Sequence, residues 1–329
     1  MSLLAPTLQA FFSERLIVQK NASPHTVASY RDCWRLLLYF VQERTGTPPS
    51  ELGIDQLDAP MIGAFLDHLE HERGLSIASR NTRLAALRSL FRFAALRHPE
   101  HAALISRVLA IPAKRGERAV VCFLAPEEVD ALLASPDRSR WTGRRDHALL
   151  LLAVQTGLRV SELTGLRTRD LELGKGAHVR CRGKGRKDRS TPLTRQTVAV
   201  LRVYLAERGG EADDWVFPGP SGPALGTDAV RRLVQRHAAV ATPRCKSLGS
   251  KKMSPHVLRH TCAMRMLESG IDLPTIALWL GHESTRTTDI YLHAYMALKE
   301  RALARTTPPH TTPGRYRPSD SLLDFLDGL

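Results

Sequence analysis

Apolar residues recur at helical spacing through most of this chain, and the first hundred residues divide into four such stretches. One spans 5–19, a second opens at Ser23-Pro24 and runs to Arg44, a third covers 60–73 and a fourth 77–97. Ser before Pro marks a helix start, because Ser caps orphan N–H groups and Pro lacks the one that would be orphaned. The fourth stretch carries Arg80, Arg83, Arg88, Arg92 and Arg97 among Leu84, Leu87, Leu90 and Phe91. That pattern predicts a basic face backing onto an apolar one, either solvated or in contact with phosphates. Residues 111–121, IPAKRGERAVV, read as an exposed linker before a new helix start at Pro126-Glu127-Glu128. Helices are predicted at 126–134 and 143–167. Three short strands with Gly-containing turns follow near 170–173, 177–182 and 188–193, and more helices from 195 onward. Thr306–Pro318 reads as irregular, and SLLDFLDGL at the end as a short amphipathic helix. The expected fold class is mainly α with a small antiparallel β-sheet in the second of two domains. The expected boundaries are 1–112, a linker at 113–122, a main domain at 123–305 and a tail at 306–329.

Composition narrows the function. A chain of 329 residues with 43% hydrophobic content furnishes cores for two domains. Lys and Arg outnumber Asp and Glu 47 to 33, a formal charge of +14 that favours a polyanionic partner without naming it. The five cysteines stand singly with no CxxC pair, which argues against a disulfide framework and a Cys-based zinc site. No apolar run reaches the roughly 18 residues of a membrane span. A soluble, cytoplasmic protein is expected.

Four stretches carry candidate chemistry. In TGLRVSEL, Arg159 and Glu162 lie three apart, a spacing that is most often structural when found alone. GKGRKDR is a Gly-rich basic turn between two predicted strands, able to present Lys184 to a phosphate or to leave it solvated. No GxGxxG or GxxxxGK[ST] fingerprint accounts for it. In SPHVLRH, His256, Arg259 and His260 share the first turns of a helix opened by Ser254-Pro255 and closed by Gly270. The N–H groups and dipole of such a helix start favour a bound anion, although a capping or core histidine is an equal reading. Finally, LGHESTRTTDIYLHAYM places His282 after an apolar helix and Tyr291 nine residues on, in a helix that could start at Ser284. Tyr295 lies one turn beyond Tyr291, and the pattern alone does not choose between them.

Taken together, these stretches resemble the tyrosine recombinases, the phage integrase and Xer-like enzymes. Their hallmark is Arg, Lys, His-x-x-Arg, His or Trp, then Tyr. The matching residues are Arg159, Lys184, His256, Arg259, His282 and Tyr291, and the nine-residue step from His282 selects Tyr291 over Tyr295. The match covers about 120–300, while the helical first hundred residues resemble the family's core-binding domain in architecture. The resemblance implies a two-domain clamp on double-stranded DNA, strand cleavage through a 3′-phosphotyrosine, and no metal or cofactor. It further implies four protomers on two paired sites and a C-terminal helix able to pack on a neighbour. Arg159 and Arg259 would clamp the phosphate, Lys184 would protonate the departing 5′ oxygen, His256 would assist proton transfer, and His282 would donate to the phosphate. Arg80, Arg83, Lys251 and Lys252 are further candidates for DNA contact. The basic segment 241–253 and the tail are longer than in compact Xer-type enzymes, which points to a mobile-element recombinase. Three rivals are a type IB topoisomerase-like relaxing enzyme, a nonenzymatic DNA-binding regulator, and a zinc hydrolase using His256, His260 and His282. The last lacks HExxH, since Val257 follows His256.

Overall fold

The computed structural model describes residues 2–116, 121–182, 188–219 and 222–281, together with Tyr291, Leu323 and Leu326. The chain divides into two compact units, Met1–Ala119 and Val120–Leu329.

The first unit is helical: α1 (Leu4–Ala10), α2 (Pro24–Thr45), α3 (Ala59–Asp67), α4 (Ile77–Ala94) and α5 (Ala102–Ala110). The first and third continue across Phe11–Gln19 and His68–Glu72 in wider π-type turns, so the Lys20 N–H reaches back to Arg15 O. Local sequence sets the boundaries. Ser23 Oγ accepts the Thr26 N–H, Asp58 Oδ1 accepts the Met61 N–H, and Gly46 closes α2 with a positive φ. Trp34, Leu37, Phe65, Leu87 and Phe91 are among the side chains that fill the core.

Two expectations need correction here. Helix α5 was not foreseen; it is only nine residues long, and Ile105 and Val108 alone of it are buried. The row of arginines on α4 is not one exposed basic face, because α2, α3, α5 and the turns at 11–19 and 68–72 surround this helix. Arg80 is only 5% exposed, with Nε 3.5 Å from Glu70 Oε2. Arg83 donates to Ser29 O at 3.0 Å and Arg88 to Ile111 O, while Arg97 pairs with Glu14 and lies over the Phe93 ring. Burial forces Arg80, Arg83 and Arg88 onto a carboxylate or carbonyls, whereas Arg92 and Arg97 stay exposed.

The second unit contains α6 (Pro126–Ala134), α7 (Trp141–Thr156), α8 (Val160–Thr164), β1 (Leu171–Glu172), β2 (His178–Arg182) and β3 (Asp188–Pro192). It continues through α9 (Arg195–Arg208), α10 (Thr227–Ala241), α11 (Pro255–Glu268) and α12 (Leu273–Leu280). The three strands form an antiparallel sheet in chain order, with Val179 opposite both Leu171 and Thr191. Helix α7 is the axis of this unit. Residues 145–154 are all buried, the mark of a helix covered on every side, here by α6, α9 and α11.

The predicted helix over 143–167 is broken instead of continuous. Gly157 takes φ +63° and ends α7, leaving three successive carbonyls that the helix cannot satisfy. Side chains from α11 and α12 take all three: the Cys262 thiol donates to Gln155 O at 3.3 Å, Trp279 Nε1 to Thr156 O at 3.1 Å, and Arg259 Nη1 to Gly157 O at 2.6 Å. A Cβ on Gly157 would stand 2.6 Å from Leu280 Cδ2 and 3.2 Å from Cys262. Gly157→Ala is therefore expected to destabilise the unit by about 2–3 kcal/mol through the left-handed backbone and overpacking together. A urea-melt comparison with wild type checks this.

Of the tail, Leu323 and Leu326 are helical and exposed. The rest of the tail, most of 282–305 and the turn holding Lys184 lie outside the described residues.

Candidate active site

The break at Gly157 creates the site. Two residues later Arg159 becomes the N-cap of α8 with extended backbone, and its N–H donates to Glu162 Oε2 at 2.8 Å. Arg159 and Glu162 thus meet across a helix start, not along a continuous helical face as the spacing predicts. The Arg159 guanidinium donates from Nη1 to Glu162 Oε1 at 2.9 Å and from Nη2 to Gly281 O at 2.8 Å.

Arg259 arrives from the first turn of α11 and is 5% exposed. Its second nitrogen donates to Leu280 O at 2.7 Å. The two guanidiniums therefore rest on consecutive carbonyls, Leu280 and Gly281, at the C-terminus of α12. That helix end carries partial negative charge from unpaired C=O groups, so it can hold and aim two cations that would otherwise repel. Burial first, and the Arg159 charge next, push Arg259 down to about 10, which still leaves it cationic at neutral pH.

Glu162 is the hub, with its side chain 4% exposed. It also accepts Arg189 Nη1 on Oε1 and Arg189 Nη2 on Oε2, both at 2.8 Å. Burial pushes the carboxyl up, but hydrogen bonds from Arg189 and Arg159 outweigh it and hold Glu162 below its ordinary range as a carboxylate.

Tyr291 is 1% exposed and packs with Cys262, Met264, Leu267, Ile276 and Leu280. Its Oη shares a 3.0 Å hydrogen bond with His260 Nδ1, and the two rings meet edge to face at 5.6 Å. Burial pushes the phenol up to about 12. Burial, then His256 and Arg259, push His260 down to about 4. At neutral pH both partners are uncharged, which is the form a nearly dry pocket favours.

Of the sequence candidates, the structure gathers Arg159 and Arg259 on one helix end and sets Tyr291 against α11. His256 is exposed at the start of that helix. Lys184 and His282 lie outside the described residues, although Asp188 and Gly281 bound their segments. Lys251 is turned inward, donating to Phe123 O at 2.7 Å and to the buried Glu128, which also accepts Ser247 Oγ at 2.6 Å. Lys252 is exposed. Sequence reasoning gave no role to Arg189, and named His260 only beside His256 and Arg259 at the helix start and as a ligand in the zinc-hydrolase rival, not as a partner of Tyr291. The first sat in GKGRKDR and the second one turn from His256. Among the described residues, no three His, Cys, Asp or Glu side chains come together as metal ligands, and no helix is long and apolar enough to cross a membrane.

Residues 122–297 match the phage integrase family, and residues 9–98 match the phage integrase N-terminal SAM-like domain. The integrase/recombinase y4rC of Sinorhizobium fredii is 53% identical over 99% of this chain and 98% of its own length. The tyrosine recombinase XerC of Pelobacter propionicus is 33% identical over 92% of this chain and 95% of its own. Among solved structures, the Tn1549 transposon integrase in complex with transposon right end DNA superposes with a TM-score of 0.72 at 17% identity, covering 93% of this chain and 99% of that one. XerH bound to its palindromic difH substrate gives 0.69 at 24%, covering 91% and 83%. Both structures show the same fold. The chain belongs to the phage integrase family and is a tyrosine recombinase.

Proposed function

We propose that this recombinase cuts and rejoins double-stranded DNA at specific sites, with Tyr291 as nucleophile and Arg159 and Arg259 as the phosphate clamp. The observation that carries this reading is the seating of both guanidiniums on the Leu280 and Gly281 carbonyls, in the unit that buries Tyr291. Each planar group still has N–H donors to turn toward the nonbridging oxygens of one phosphodiester.

Tyr291 Oη attacks phosphorus, the P–O5′ bond breaks, and a 3′-phosphotyrosine forms while the 5′ oxygen leaves with a proton from Lys184. A second 5′ hydroxyl then reverses the step, so no ATP is needed. His256 assists the proton transfer at the tyrosine, and His282 donates to the phosphate. Before attack, Tyr291 exchanges its bond to His260 for the phosphate. Charge builds on the nonbridging oxygens, where preorganised cations stabilise the transition state more than the ground state. Four protomers on two paired sites, acting at the nucleoid, fit strand exchange between two duplexes. Likeness to the integrase/recombinase y4rC along nearly the whole chain, and in fold to a transposon integrase, fits a mobile-element role. Exposed Lys252 would serve as a phosphate contact in the same unit as the clamp.

The test incubates the protein with supercoiled DNA from the locus that encodes it, stops with SDS, digests, and maps the nucleotide-bearing peptide. Attachment at Tyr291 is expected. Attachment at Tyr295, or DNA bound without any adduct, would refute the assignment, the latter leaving the regulator reading. Relaxed plasmid without recombinant junctions would favour the topoisomerase-like one.

A further inference from the structure

Glu162 serves two masters. Its two oxygens accept from Arg159 at Nη1 and the backbone N–H, and from Arg189 at Nη1 and Nη2, all between 2.8 and 2.9 Å. Arg189 stands at the start of β3, just after the turn that contains Lys184, and its side chain is 11% exposed. It also fits over Gly281, where a Cβ would lie 2.7 Å from Arg189 Nη1. One side chain therefore ties the start of β3, the Arg159 cap and Gly281, the residue preceding His282.

As a stability device this cluster is poor. Two guanidiniums and a carboxylate are taken from water, and Arg189 Nε is buried with no hydrogen-bond partner. Buried pairs of this kind are often no better for stability than apolar packing. Their value here lies in charge. A carboxylate left with Arg159 alone would cancel the cation that must meet a phosphate. With Arg189 saturating Glu162, the trio keeps a net positive charge and Arg159 keeps its aim.

We propose that Arg189 is a positioning residue: it occupies the Glu162 carboxylate so that the charge of Arg159 stays available to the scissile phosphate. This rests on the reading of Arg159 as a phosphate clamp.

The experiment is single-turnover cleavage, at saturating protein, of a nicked duplex carrying the site where the wild type forms its adduct. The duplex is made with either a phosphodiester or a neutral methylphosphonate at the scissile position. Arg189→Met is expected to slow phosphodiester cleavage about 100-fold with DNA affinity held within about threefold, and Arg189→Lys to fall between. On the methylphosphonate there is no anionic charge to meet, so the Arg189→Met deficit should shrink to less than about tenfold. Wild-type rates on the phosphodiester, or an equal deficit on both substrates, would overturn the proposal and leave Arg189 a fold-maintaining residue. If Arg189→Met does not melt as a folded protein, the same comparison with Arg189→Lys decides. Arg159→Ala is run alongside: cleavage at the wild-type rate there would remove the clamp reading itself, independently of what Arg189 does.

Discussion

Tyr291→Phe is expected to bind its DNA site as the wild type does and to form no covalent adduct at any time of incubation. The ring fills the space among Cys262, Met264, Leu267, Ile276 and Leu280 that the tyrosine ring fills, so the packing survives the change. What is lost is one hydroxyl and its 3.0 Å bond to His260. That bond is worth about 1 kcal/mol net, and leaving the half-buried imidazole without its partner raises the cost toward about 1–3 kcal/mol. A fall in melting temperature with complete loss of the SDS-stable complex would separate nucleophile from packing residue. An adduct of normal yield would move the chemistry to another side chain, with Tyr295 the first to examine.

Arg259→Lys is expected to lower the cleavage rate by about 10²–10³-fold, the usual cost of removing one preorganised donor. Two effects combine. The guanidinium fork bridges Gly157 O and Leu280 O, one at the end of α7 and the other at the end of α12, and a single ammonium cannot reproduce that planar span. Charge is the second effect. The site already pushes an arginine down to about 10, mainly by burial. A lysine starts about two units lower in water and the same burial drives it toward neutrality. Its residual cleavage should therefore rise as pH is lowered from about 9 to 7, because protonation restores the missing charge. A variant rate that is unchanged, or that falls on acidification in step with the wild type, would contradict this account. Cleavage assays on the nicked duplex measure both.

How much of this was legible in the sequence depends on the range of the interaction concerned. Ser23-Pro24 and Gly46 frame α2 through hydrogen bonds three or four residues long, and such local signals predict its 22 residues closely. The three strands fell within two residues of their predicted limits for the same reason: tight turns and alternating patterns are local. The break after α7 was not legible. The apolar rhythm runs on through Leu158, Leu163 and Leu166, and nothing in it shows that Gly157 takes a positive φ. That conformation follows from Cys262, Trp279 and Arg259, more than a hundred residues away. Arg80 was misplaced because a charge reads as surface until its partner is known, and Glu70 lies on the preceding turn in space, not on the same helix. The individual residues Arg159, Arg259 and Tyr291 could be picked out by resemblance. The bidentate pairing of Arg189 across 27 positions could not.

The carbonyls at the end of α12 bear on when the cost of catalysis is met. Bringing two like charges side by side is uphill, and a flexible surface would have to climb that hill each time a substrate arrived. Here the climb is made once, during folding, with the Leu280 and Gly281 oxygens and the Glu162 carboxylate as partial compensation. The folded protein thus carries a standing electrostatic tension that only an anion relieves. With Arg159 and Arg259 as the proposed phosphate clamp, substrate would enter a field that is already oriented, and none of its binding energy would be diverted to building one.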